Sequence, residues 1–158
     1  MSMSITPHRI IVTGDHHGVE LIPRLAASLR AQGHAVETTT TEPREDGTID
    51  YPPLCAAACR RIQDEDADLA IVLGGSGQGE VVACNKMRGI RAGVAYSEFA
   101  VDISRGNNNA NVMVIGAKVI DEDTAHALVR RWLMTPFKGG VHAERIAQIT
   151  ELEEHGGF

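Results

Sequence analysis

The sequence predicts a three-layer α/β fold: a five-stranded parallel sheet with helices on both faces. Three observations carry this. Five short apolar runs lack polar alternation, as strands buried on both faces do. Between them lie stretches with apolar residues at helical spacing. The connections are short, as in repeated strand–helix units. With 158 residues, 43% of them hydrophobic, the chain has enough material for one domain with its own core.

The elements follow in order. Residues 9–13, Arg-Ile-Ile-Val-Thr, read as the first strand, and 14–18 as a turn. Leu21, Ile22, Leu25, Ala26 and Leu29 stripe one face of a helix over 19–32, which Gly33 ends. A second strand over 34–39 leads into a polar loop, 40–51, with Pro43 and Gly47. Pro52 and Pro53 open a helix that reaches about Gln63. Three more pairs follow: strand 68–73 with helix 81–87, strand 90–95 with helix 98–105, strand 111–115 with helix 121–134. A last helix over 142–153 carries Ile146, Ile149 and Leu152. Residues 1–7 read as a leader and 154–158 as a disordered tail. No block of sequence repeats.

Charge and composition exclude several classes of function. Net charge is −6 with no Lys/Arg cluster, which argues against a nucleic-acid surface. No run reaches the ~18 uncharged apolar residues of a membrane-spanning helix, and no signal sequence opens the chain. A cytoplasmic protein is expected. The three cysteines contain no CxxC pair. Cys55, Cys59 and Cys84 read as buried helix residues, Trp132 as a cover for a helix–sheet contact, and the acidic run 151–154 as surface. The seven histidines show no metal-binding spacing, so no metal or cofactor is expected.

In parallel sheets of this kind ligands bind at the carboxyl ends of strands, and the polar loops of this chain are expected there. The strongest candidate is Gly74-Gly75-Ser76-Gly77-Gln78-Gly79-Glu80, between the third strand and its helix. Strand, glycine loop and helix aim backbone N–H groups at an anion. Four glycines in six positions exceed what a tight turn needs, and a hydroxyl and a carboxylate sit among them. No Gly-Lys-Ser/Thr closes the loop and no dinucleotide GxGxxG is present, so nucleotide binding is disfavoured. Asp15-His16-His17 after the first strand reads either as a turn or as a holder of hydroxyls or phosphate. Asn107-Asn108-Asn109-Ala110-Asn111 reads either as a helix end or as a set of uncharged hydrogen-bonding groups for a sugar. Lys118, His142 and Arg145 read either as a solvated cationic face or as an anion site.

Together these pieces resemble the ribose-5-phosphate isomerase B family, which includes galactose-6-phosphate and allose-6-phosphate isomerases. The motifs are Gly14-Asp15-His16-His17-Gly18, Asp50-Tyr51-Pro52, Gly75-Ser76-Gly77-Gln78-Gly79-Glu80, Asn85-Lys86, Gly89-Ile90-Arg91-Ala92, Asn108-x-Ala110-Asn111-Val112, Gly116-Ala117-Lys118 and His142-x-x-Arg145. The resemblance runs from Ile10 to about Ile146. It implies a flavodoxin-like Rossmann fold, a homodimer or dimer of dimers with sites shared between subunits, and no metal. The implied reaction interconverts aldose and ketose phosphates through a cis-enediolate. Family members use either a Cys just before the Gly-x-Gly or a Glu a few residues later as base. Here the Cys position is Gly74, so the resemblance assigns the base to Glu80 and excludes Cys84. It implies that Gly75, Gly77 and Gly79 present N–H groups to the enediolate oxygen, donors typically worth ~3 kcal/mol each. Ser76 would relay a proton, Asp15 and Asn108 would hold hydroxyls, and Tyr51 and Asn107 would line the substrate. His16, Lys118 and Arg145 would face the phosphate, and His142 would also bind the substrate.

Two positions depart from the family pattern. Members that open a furanose ring usually carry His where this chain has Asn107, and an amide is no acid or base near neutral pH. The first cation of the phosphate clamp is Val141 here, which removes a bidentate contact. The departures point to a tetrose phosphate such as erythrose 4-phosphate, to an unphosphorylated sugar, or to a ring opened by His17 or His142. The alternative function is a non-catalytic or partner-dependent sugar-phosphate-binding subunit.

Overall fold

The computed structural model describes residues 5–156. Five strands alternate with helices: β1 (Arg9–Gly14), α1 (Leu21–Ala31), β2 (Ala35–Thr38), α2 (Tyr51–Gln63), β3 (Leu69–Gly74), α3 (Gln78–Asn85), β4 (Ala92–Val94), α4 (Glu98–Gly106), β5 (Val112–Gly116), α5 (Glu122–Met134) and α6 (Val141–His155). All pairings are parallel, in the order β2-β1-β3-β5-β4. The α/β fold class expected from the pattern is the one observed.

The sheet separates two cores. On one face Ile10, Val12, Ile71, Leu73, Met113 and Ile115 pack against Leu25 and Leu29 of α1, Val101 of α4 and Trp132 of α5. On the other, Ile11, Ala70, Val72, Val112 and Val114 meet Leu54, Cys55 and Cys59 of α2 and Cys84 of α3. The fully buried β3 and β5 explain why those strands read as continuous apolar runs. Each buried Leu or Ile side chain contributes roughly 1.5–3 kcal/mol by leaving water.

The last two strands exchange places relative to the 2-1-3-4-5 order of flavodoxin-like sheets. β5 lies beside β3, and β4 is the edge. This matters for the site. Gly74 pairs in register with Gly116, and the chain beyond β5 is laced to the glycine loop. The Ala117 N–H donates to the Gly74 carbonyl at 2.8 Å and the Lys118 N–H to the Gly75 carbonyl at 2.9 Å.

Several boundaries differ from the periodicity. β4 covers three residues rather than 90–95, because Ile90 closes a turn by donating its N–H to the Met87 carbonyl. Glu154 and His155, expected in a disordered tail, belong to α6; Glu154 accepts from Arg88 at 2.9 Å, and Gly156, at φ +73°, caps the helix. The leader and tail readings at 1–4 and 157–158 lie outside the described residues. α6 buries none of its residues, and leaves Val141, Ile149 and Leu152 about half exposed. Among the described residues no helix is long and apolar enough to cross a membrane.

Candidate active site

The carboxyl edge of the sheet is built around the loop between β3 and α3. The chain leaves β3 at Gly74 and turns at Gly77, whose φ of +85° favours glycine. Ser76 Oγ then accepts the Gln78 N–H at 3.1 Å, which starts α3 at Gln78. The helix begins three residues before its apolar stripe, so Glu80 belongs to the first turn and not to the loop. The positive end of the helix dipole lies there. Among the described residues the N–H groups of Gly75, Gly77 and Gly79 have no protein acceptor, and stay free for an anion.

Glu80 is 4% exposed. A Cβ on Gly74 would stand 2.0 Å from its Oε1. Burial pushes its carboxyl above the ordinary value; its own backbone N–H opposes this, the nearby Asp15 charge adds to it, and His17 opposes it. A carboxylate with raised proton affinity beside free N–H donors can take a proton from carbon and leave the resulting oxyanion stabilised.

Asp15, 4% exposed, faces this carboxylate from the end of β1. Its N–H donates to the Leu73 carbonyl at 3.0 Å, which ties the β1 loop to β3. Its Oδ1 accepts the His17 N–H at 2.9 Å, and both carboxylate oxygens lie 3.2 Å from His17 Nδ1. His16 Nδ1 instead accepts the Ile49 N–H at 3.0 Å. The two imidazoles are neighbours, with centroids 4.0 Å apart. The His17 ring lies over Gly75, and the Tyr51 ring lies against Gly79. Asp15, His16 and His17 have ligand atoms within 4.8 Å of one another, although both Nδ1 atoms are engaged by protein.

Cys84 lies beneath the site, fully buried. Hydrogen bonding with Cys55, ahead of burial, pushes its thiol up to about 12, so it stays protonated at neutral pH. This agrees with leaving it out of the chemistry.

One chain therefore brings Asp15, His16, Tyr51, Gly75, Ser76, Gly77, Gly79, Glu80 and Lys118 to the carboxyl edge. The remaining candidates stand elsewhere. Asn107 and Asn108 precede β5, so they lie at the amino edge, contrary to the expectation that the polar loops follow strands. Asn107 Oδ1 accepts from Lys138 at 2.8 Å, and the Asn108 carbonyl accepts from Arg91 Nε at 2.9 Å. His142 and Arg145 sit on α6, whose far end is held to Arg88 and Gly89, ahead of β4. Neither makes a side-chain hydrogen bond among the described residues.

Two further side chains, His17 and Tyr96, stand at this edge. His17, read in the sequence as part of a turn or hydroxyl- or phosphate-holding loop and as a possible ring opener, is fixed by its contact with Asp15, which its position in the chain does not reveal. The Tyr96 hydroxyl donates to the Ser76 carbonyl at 3.2 Å and also contacts the Gln78 amide. Its place just after β4, at a strand's carboxyl end, was a signal that could have found it.

The Ribose/Galactose Isomerase family matches residues 10–149. Ribose-5-phosphate isomerase B of Mycobacterium tuberculosis is 36% identical over 152 residues, which cover 92% of this chain and 90% of that protein. The solved ribose-5-phosphate isomerase B of Clostridium thermocellum superposes with a TM-score of 0.88 at 33% identity, over 94% of this chain and 99% of that one. The Mycoplasma genitalium enzyme, solved with bound ribulose-5-phosphate, gives 0.86 at 27% identity, over 93% and 97%.

Proposed function

The chain belongs to the Ribose/Galactose Isomerase family, and on that premise we propose that it interconverts an aldose phosphate and its ketose. A proton moves between C1 and C2 through a cis-enediolate, with Glu80 as the base. The observation that carries this is the buried Glu80 carboxylate, set under Gly74 beside free backbone donors. Glu80 takes the proton from one carbon and returns it to the other. The N–H groups of Gly75, Gly77 and Gly79 stabilise the enediolate oxygens, and Ser76 passes the hydroxyl proton between them. Asp15 and Tyr51 hold the sugar. His16 and Lys118 face its charged end.

The working unit is a homodimer or dimer of dimers with shared sites. Two observations support this: Asn107 and Asn108 sit at the sheet edge opposite Glu80, and α6 carries His142 and Arg145 beside exposed Val141, Ile149 and Leu152. A second copy can bring one edge to the other. The three free, buried cysteines support a cytoplasmic location.

Asn107 and Val141 bear on the substrate. A tetrose phosphate needs no furanose opening, because its phosphate occupies the oxygen that would close the ring. A longer sugar phosphate needs another acid–base group. A panel of four- to six-carbon aldose and ketose phosphates, assayed by solvent deuterium uptake with Glu80→Gln as control, tests the reading. Exchange that is lost in the variant supports it. No exchange by the purified chain would favour the binding-subunit alternative.

A further inference from the structure

We propose that His17, aligned by Asp15, is the acid–base residue that opens the ring of a cyclic sugar phosphate in this site. This rests on the isomerase reading above. The chemistry asks for such a group. A cyclic hemiacetal has no acidic C2 proton until its ring opens. Opening breaks the O1–H bond and the bond between C1 and the ring oxygen, forms the C1–O1 double bond, and places a proton on the ring oxygen. One imidazole can take the O1 proton and hand it to the ring oxygen, so no other reagent is consumed.

The hydrogen-bond partners distinguish the candidate imidazoles. His17 Nδ1 lies 3.2 Å from both Asp15 carboxylate oxygens and donates its proton there. That leaves the Nε2 lone pair free, and Nε2 has no hydrogen-bond partner among the described residues. His16 has the opposite tautomer: its Nδ1 accepts the Ile49 N–H, so its proton sits on Nε2. It can donate to a sugar or phosphate oxygen but offers no base. The third candidate, His142, has no carboxylate partner among the described residues and sits on α6.

Position supports the same residue. The His17 ring lies over Gly75, with Nδ1 3.2 Å from where a Cβ would be. It thus packs from the β1–α1 loop against the glycine loop that holds the reacting carbons in the proposed reaction. The titratable groups facing it are Asp15 and His16 on its own loop and Glu80 on α3. Asn107 cannot do this work: it has no titratable nitrogen, and its carbonyl oxygen is taken by Lys138.

The test is His17→Asn, which keeps a donor for Asp15 and removes the base. The kcat/KM is measured for a pentose 5-phosphate, which forms a ring, and for a tetrose 4-phosphate, which does not, with circular dichroism as a check of folding. The pentose value should fall ~10²-fold or more, the usual contribution of acid–base catalysis. The tetrose value should fall at least tenfold less. Equal losses on both substrates, no loss, or a wild-type chain that turns over only the tetrose would overturn this role while leaving the isomerase intact. A wild-type chain that exchanges no proton with either sugar would overturn the isomerase reading itself, and the role with it.

Discussion

The carboxylate of Glu80 occupies the space a side chain on Gly74 would need, with only 2.0 Å between a Cβ there and Oε1. Glycine at 74 and glutamate at 80 are thus one structural choice. The resemblance offers two places for the base, a Cys at the position of Gly74 or a Glu at 80. The geometry explains why this chain has only the second: the two side chains would meet in one volume.

Gly74→Ala should therefore cost about 1–3 kcal/mol by overpacking and should lower kcat by displacing the carboxylate. Glu80→Ala removes the clash. In the double variant the stability losses should be less than additive, a coupling that a double-mutant cycle by urea denaturation reads directly.

Burial raises the proton affinity of Glu80 in the folded state. The folded chain then holds this proton more tightly than the unfolded chain. Between the unfolded and the folded values, stability falls as pH rises. Glu80→Gln removes that penalty, so its melting temperature should exceed the wild type at neutral pH, with the gain vanishing in acid. In activity the sign reverses. Wild-type kcat/KM should drop as pH falls through the raised value, because the base must be ionised.

Sites shared between subunits predict complementation. Glu80→Gln and Asn108→Ala should each be inactive alone. Unfolded together and refolded, they should recover about a quarter of wild-type activity, since half the dimers are mixed and each holds one intact site. A site contained in one chain would recover nothing.

Restoring the family residues tests the substrate reading. Asn107→His should raise turnover of a pentose 5-phosphate. Val141 is 48% exposed, so Val141→Arg should be tolerated. It should lower KM for phosphorylated sugars about tenfold, the worth of one charge-assisted contact of ~1.4 kcal/mol. Steady-state kinetics on each variant checks both.

Much of this was legible in the sequence because it is local. The apolar runs of β1, β3 and β5 announce strands buried on both faces, and the loop from Gly74 to Glu80 announces an anion site. The start of α3 was not legible, since Gln78, Gly79 and Glu80 carry no apolar stripe and the turn is set by Gly77 and Ser76. The exchange of β4 and β5 depends on pairing between distant segments. The amino-edge position of Asn107 and Asn108 was readable, because they precede a strand; the carboxyl-end rule simply does not cover them. The opposite tautomers of His16 and His17 follow from Ile49 and Asp15, and only the folded chain brings Ile49 there.

The most direct test of the central claim is solvent deuterium uptake by a tetrose or pentose phosphate, compared between wild type and Glu80→Gln. Glu80 as the base predicts uptake at C1 or C2 with the wild type and a loss of ~10³-fold or more in a variant that folds at least as stably. Uptake by Glu80→Gln at the wild-type rate would contradict it.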